Sequence, residues 1–286
     1  MKVLFATDGS DASHRAGELL AGLADPGRTE IVVLSVNDFE VALREASAHH
    51  GYSSERSHAA ANQAAEAAAD ALREAGFGDV RVRVVEGDGA TEIVAQAEQA
   101  ELVVVGSGKE GWLDTIVLGS VSSSVLHASP CPVLVVHRAP SGDGPVRVVV
   151  GTDGSEGSSH AIAALVGLAD PARCEVAVVA AARPVALPPG GAEGGEAVAV
   201  DVADAEQEAA TRHLAAASEV LTAAGFRVET QVVHGGAAPA ILDQVASRDA
   251  HLAVVGARGL GRFRAKVLGS VSDRVIRHAP ATLVGR

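Results

Sequence analysis

Short runs of Val, Ile, Leu and Ala alternate along the chain with longer Ala-rich stretches of amphipathic spacing. The runs predict strands at 2–7, 30–36, 80–86, 101–106 and 132–137, with helices at 11–24, 57–76, 89–99 and 120–128 between them. The same order returns as strands at 146–151, 175–181, 227–234, 251–256 and 281–284, and helices at 156–169, 200–224, 236–248 and 270–278. Strict alternation of strand and helix, with right-handed crossovers, gives a parallel sheet covered on both faces. Ligands on such sheets bind beyond the carboxyl ends of the strands, where the strand order reverses. The segments after the first, second and fourth strands of each half are therefore where chemistry is expected.

The two series are copies of one unit. VLFATDGSDAS at 3–13 returns as VVVGTDGSEGS at 148–158. LVVVGSGKEGWLDTIVLGSVSSSVLHASP at 102–130 returns as LAVVGARGLGRFRAKVLGSVSDRVIRHAP at 252–280. The stretch APSGDGP at 139–145 reads as a linker, dividing the chain into units 1–138 and 146–286.

Composition narrows the partners. Hydrophobic residues are 48% of the 286 but aromatics only 2%, so the core is packed from small aliphatic side chains, as suits parallel strands buried on both faces. A formal charge of −13 argues against nucleic acid, which needs a basic footprint, and against anionic membranes. An anionic ligand stays compatible if backbone N–H groups hold it. Cys131 and Cys174 read as small core residues in a reducing compartment. The opening MKVLFATDGSD has no leader pattern and no apolar run is long enough to span a bilayer, so the expectation is a soluble, cytoplasmic protein.

After strand one stand Thr7-Asp8-Gly9-Ser10 and Thr152-Asp153-Gly154-Ser155. Helix capping accounts for the serines. It does not require the Asp, whose carboxylate can accept from a ribose hydroxyl or help hold a metal. Gly151 before it is expected to let a ligand approach the backbone, and Ala6 to allow less room. After strand four of the second half come Gly256, Arg258 and Gly259, then Gly269, Ser270, Val271 and Ser272 opening a helix. Glycines let the backbone fold around a polyphosphate, the helix start presents free N–H groups, and Ser270 and Ser272 add hydroxyls. Arg258, Arg262, Arg264 and Lys266 make this one loop basic in an acidic protein.

The spacing G-x2-G-x9-G-[ST] after strand four, with Asp in a D-G-S turn after strand one, resembles the ATP-binding universal stress proteins over nearly all of both halves. The resemblance implies two tandem doubly wound five-stranded parallel sheets, a Rossmann-like fold of the adenine nucleotide alpha hydrolase-like type. It implies ATP, with Mg2+, over the glycine loop and the Asp near the ribose. Carried over, Asp153, Gly256, Gly259, Gly269, Ser270 and Val271 line the second site, to which the reading of the residues themselves adds Gly151, Arg258 and Ser272. The adenine-contacting position after strand two falls on Val36 and Ala181. It also implies an unidentified protein partner, and self-association through the open edge of strand five. Pairing there, between the two halves or between chains, also follows from the cost of an unpaired edge.

The first half departs from the pattern. Asp8, Gly106, Gly119, Ser120, Val121 and Ser122 fit, but Lys109 takes the second glycine's place, with Gly108 one residue early. A lysine can hold phosphate as a point charge, whereas its Cβ restricts backbone approach and Glu110 and Asp114 repel anions. ATP in the first half is thus left open. His49, His50 and His58 read as a solvated loop and not a metal site, and 183–197 as a mobile Pro/Gly-rich loop. No Walker lysine pattern and no residue placed to orient water are evident, so the expected role is a nucleotide-dependent stress or growth regulator without dedicated catalysis. A weak ATPase and a nucleotide-independent scaffold are the alternatives.

Overall fold

The computed structural model describes residues 1–38, 54–107, 118–140, 144–183, 195–259 and 268–286. In the first half, β1 (Lys2–Ala6), β2 (Glu30–Asn37), β3 (Asp79–Glu86), β4 (Leu102–Gly106) and β5 (Val133–Val136) alternate with α1 (Asp11–Leu23), α2 (Ser54–Glu74), α3 (Gly89–Ala97) and α4 (Ser120–Ala128). The second half repeats this as β6 (Val146–Gly151), β7 (Cys174–Ala182), β8 (Arg227–His234), β9 (Leu252–Gly256) and β10 (Ala281–Gly285). Its helices are α5 (Glu156–Leu168), α6 (Gly195–Ala223), α7 (Ala237–Ser247) and α8 (Ser270–Ile276). The largest shift from the expected boundaries is α6, which starts at Gly195. Gly195 to Ala197, read from sequence as loop, are therefore helical.

Each half is a parallel five-stranded sheet, in the orders β3-β2-β1-β4-β5 and β10-β9-β6-β7-β8. The strand order reverses beside β1 and β6, as in doubly wound folds. The halves share one ten-stranded sheet because β5 and β10 pair with each other, antiparallel, matching Val136 to Ala281 and Val133 to Val284. Both strand-five edges are consumed by this seam within one chain. Association of two chains through those edges is thereby replaced by pairing of the two halves, and the open edges of the sheet are β3 and β8.

Alternate residues of each strand feed two cores. Val3, Phe5, Val104 and Leu134 face α1, α2, α5 and α6, while Leu4, Ala6, Val103 and Val135 face α3, α4, α7 and α8. With both faces covered, the central strands read as continuous apolar runs, each buried side chain contributing about 1.5–3 kcal/mol. The ends of α1 and α5 also meet reciprocally. Asp25 N donates to Leu168 O and Asp170 N donates to Leu23 O, both at 2.9 Å. Among the described residues, no helix is long and apolar enough to cross a membrane.

Two polar side chains interrupt the seam. Thr282 on β10 is fully buried, and its hydroxyl has no hydrogen-bond partner. Such a group costs about 1–3 kcal/mol. Thr282→Val should therefore raise the urea midpoint at unchanged slope; a lowered midpoint would contradict this account. His137, after β5, is buried between the backbone oxygens of Ser107 and Ile276. Burial holds its pKa below the ordinary imidazole value, against the pull of the two carbonyls. On acidification the unfolded chain takes up this proton first, so stability is lost as pH falls from the ordinary histidine range toward the lowered one. Chemical denaturation at several pH values should give a shallower acid loss in His137→Gln than in wild type.

Candidate functional site

The site of the second half is built where β6 and β9 end. The turn after β6 places Asp153 at the surface of the sheet's carboxyl edge, its Oδ1 accepting from Ser155 N at 3.0 Å. Ser155 caps α5 by accepting from Ser158 N, and its hydroxyl donates to Arg258 O at 3.3 Å. Gly154 supplies the positive φ of 71° that this turn needs. The loop after β9 is laid directly on the turn. A β-carbon at Gly259 would lie 2.3 Å from Asp153 Oδ2, so with glycine here the backbone rests against the carboxylate without displacing it. Gly269 N donates to Ala257 O at 2.8 Å, which brings the start of α8 to the same place. Gly269 gives that helix no side-chain cap, and Ser270 behind it is exposed. Asp153, Arg258, Gly259, Gly269 and Ser270 thus converge.

Arg258 is exposed, and its charge reaches Arg286 at the end of β10. Burial first, and then Arg258, hold the Arg286 guanidinium below its usual pKa. Two neighbouring cations in an acidic chain make a local field suited to an anion. Ala181 stands two residues past the point where β7 pairs with Gly151, as Val36 does past the pairing of β2 with Ala6. The two positions are therefore equivalent, and both are half-buried at a carboxyl edge.

Several sequence assignments change their physical reason. Gly151 is buried, and a β-carbon there would meet Ile241 Cδ1 at 2.4 Å, so the glycine leaves room for α7 against the sheet. Gly256 and Gly106 serve close helix packing, since their β-carbons would strike the backbone of Gly157 at 2.6 Å and of Ala12 at 2.2 Å. Ser272 is not a free phosphate donor. It is buried, and its hydroxyl lies 2.9 Å from both Ala257 O and Gly269 O. Ser122 is its counterpart, bonded to Ser107 Oγ at 2.8 Å and Gly119 O at 3.1 Å. Val271 is half-buried against the core beside it.

In the first half Asp8 is exposed, and its Oδ1 accepts from Ser10 N. Burial raises its pKa, but donation from Ser10 and Ser13 outweighs this and leaves it below the ordinary carboxylate value. Gly119 is again an N-cap without a side-chain bond, followed by exposed Ser120 and Val121. Gly108, Lys109, Glu110 and Asp114 lie outside the described residues, as do Arg262, Arg264, Lys266, His49 and His50. His58 is an exposed residue of α2. Sequence reasoning missed His213, on α6, whose ring lies against Gly154; a β-carbon there would come 2.3 Å from His213 Cδ2. The corresponding contact of Gly9 is with Ala64. Nothing in the helical pattern around His213 marks it.

Residues 1–137 and 146–284 each match the model of the universal stress protein family. A universal stress protein of Mycolicibacterium smegmatis is 32% identical over 238 residues, covering 79% of this chain and 74% of the relative. One of Mycobacterium tuberculosis is 26% identical over 302 positions, covering 99% of this chain and 93% of the relative. The crystal structure of a universal stress protein from Archaeoglobus fulgidus has the same fold, with a TM-score of 0.66 at 24% identity over 100% of this chain and 98% of that one.

The two serines that open α8 should behave differently. Ser272→Ala removes a buried donor and should cost about 1–2 kcal/mol in denaturant titration, whereas Ser270→Ala should leave the midpoint unchanged. Equal effects of the two would contradict the assignment.

Proposed function

Both halves of this chain belong to the universal stress protein family, and from that footing we propose that the second half binds ATP and that its occupancy, not turnover, is the regulatory signal. The observation that carries this reading is the meeting of Gly259 with Asp153, close enough that a β-carbon would lie 2.3 Å from the carboxylate oxygen. It joins a carboxylate able to accept from ribose hydroxyls to a glycine loop whose N–H groups can face a polyphosphate. Arg258 and Ser270 are exposed beside it and supply charge and a hydroxyl to the phosphates. Ala181 gives the base an apolar contact, and Val36 is its counterpart in the first half. Among the described residues no group of three or more potential ligands could hold a metal. Mg2+ would arrive on the triphosphate, with Asp153 a carboxylate of this site that could neighbour it. The role that follows is a cytoplasmic, nucleotide-dependent regulator of stress or growth, read by a protein partner.

Nucleotide released from the purified, denatured full-length protein tests this. Wild type should carry ATP in stoichiometric amount, or take it up when Mg2+-ATP is added. Gly259→Val, which displaces the loop or the Asp153 carboxylate from this contact, should weaken binding by at least about tenfold, or ~1.4 kcal/mol, with little change in melting temperature. Absence of ATP from wild type, even after addition of Mg2+-ATP, would overturn the reading and favour a nucleotide-independent scaffold.

A further inference from the structure

Each half ends on a residue that reaches into the other. His137 follows β5, and its Nε2 lies 2.9 Å from the backbone oxygen of Ile276, the last residue of α8. Arg286 follows β10, and its guanidinium donates to the backbone oxygen of Leu126 in α4. The repeat relates these contacts. Val136 pairs with Gly106 as Gly285 pairs with Gly256, so His137 and Arg286 hold equivalent positions. Leu126 and Ile276 are equivalent too, each seven residues after its N-cap glycine, Gly119 or Gly269.

The chemistry explains why these groups meet. The last carbonyls of a helix have no partner within it, and N–H donors or cations placed there are favoured by the helix dipole. Because β5 and β10 run antiparallel, the carboxyl end of one half lies beside the amino end of the other. The C-terminus of α8 is thereby carried to Ser107, where the first half's glycine loop begins. Ser107 Oγ is 2.8 Å from Ser122 Oγ and accepts from Gly119 N at 3.3 Å, while His137 Nδ1 lies 3.1 Å from Ser107 O. His137 thus touches the loop support of its own half and the loop-closing helix of the other. A neutral ring carries one N–H, which donates to one of these two oxygens.

We propose that His137 and Arg286 are positioning residues acting across the seam: each holds the helix that closes the other half's glycine loop, so that ligand binding in one half depends on the last residue of its neighbour. The hold itself rests on contacts alone; its consequence for ligand rests on the ATP reading above.

Hydrogen exchange on the full-length protein, resolved to the segments 118–128 and 268–278, separates the two. Arg286→Met should speed exchange of the α4 segment by about tenfold, as expected for a lost charged hydrogen bond, and leave α8 unchanged. His137→Leu should loosen α8 more than α4, with recovery in His137→Gln, which keeps an amide donor and guards against a variant that fails to fold. His137→Leu should also weaken ATP binding to the second half by about fivefold or more. Exchange that rises only in the mutated residue's own half would overturn the cross-seam hold. Unchanged ATP affinity with a loosened α8 would overturn its role in binding. A wild type that binds no ATP would sink the nucleotide reading, while the crossed exchange pattern still decides the hold.

Discussion

The antiparallel pairing of β5 with β10 is the constraint on which the rest of the molecule depends. Each half alone ends in a strand whose outer edge offers unpaired N–H and C=O groups, a template for unwanted association. Val133 to Val136 and Ala281 to Val284 satisfy each other instead, and all of these residues are buried. Pairing equivalent strands in opposite directions relates the halves by an approximate two-fold. The two carboxyl edges consequently face opposite ends of one sheet. The reciprocal bonds between Asp25 and Leu168 and between Asp170 and Leu23 keep the same symmetry at a second contact.

Within that frame, the difference between the halves is local. The described backbone scaffold of the site is duplicated: a D-G-S turn capped by its own serine, and a helix that starts at an uncapped glycine. The second half adds a glycine laid on the carboxylate, an exposed arginine near another arginine, and an imidazole packed on the turn where the first half has Ala64. A duplicated scaffold with unequal chemistry is what a chain needs if one half binds and the other supports.

The elements and the repeat were legible because both are periodic. Apolar runs buried on two faces can be only strands here, and the returning D-G-S and G-S segments fix the order of everything between them. The seam was legible as an unsatisfied edge but not in its outcome, since Thr282-Leu283-Val284-Gly285 is too short to declare a partner. The glycines divide instructively. Gly259 does lie at the carboxylate, whereas Gly151 and Gly256 exist to admit Ile241 and the first turn of α5. A sequence records that a β-carbon is missing and not what occupies its space. Ser272 is a similar case, its hydroxyl facing the carbonyls of Ala257 and Gly269. His213 was invisible because its contact spans distant segments and its first-half counterpart is an alanine.

The central claim is that the second half holds ATP with its base over the end of β7. Photolabelling of the full-length protein with an azido-adenine ATP analogue, followed by peptide mapping, addresses it most directly. Saturable label, competed by ATP, is expected on peptides that contain Ala181 or the neighbouring end of β8. Label confined to the first half, or none that ATP competes, would contradict it.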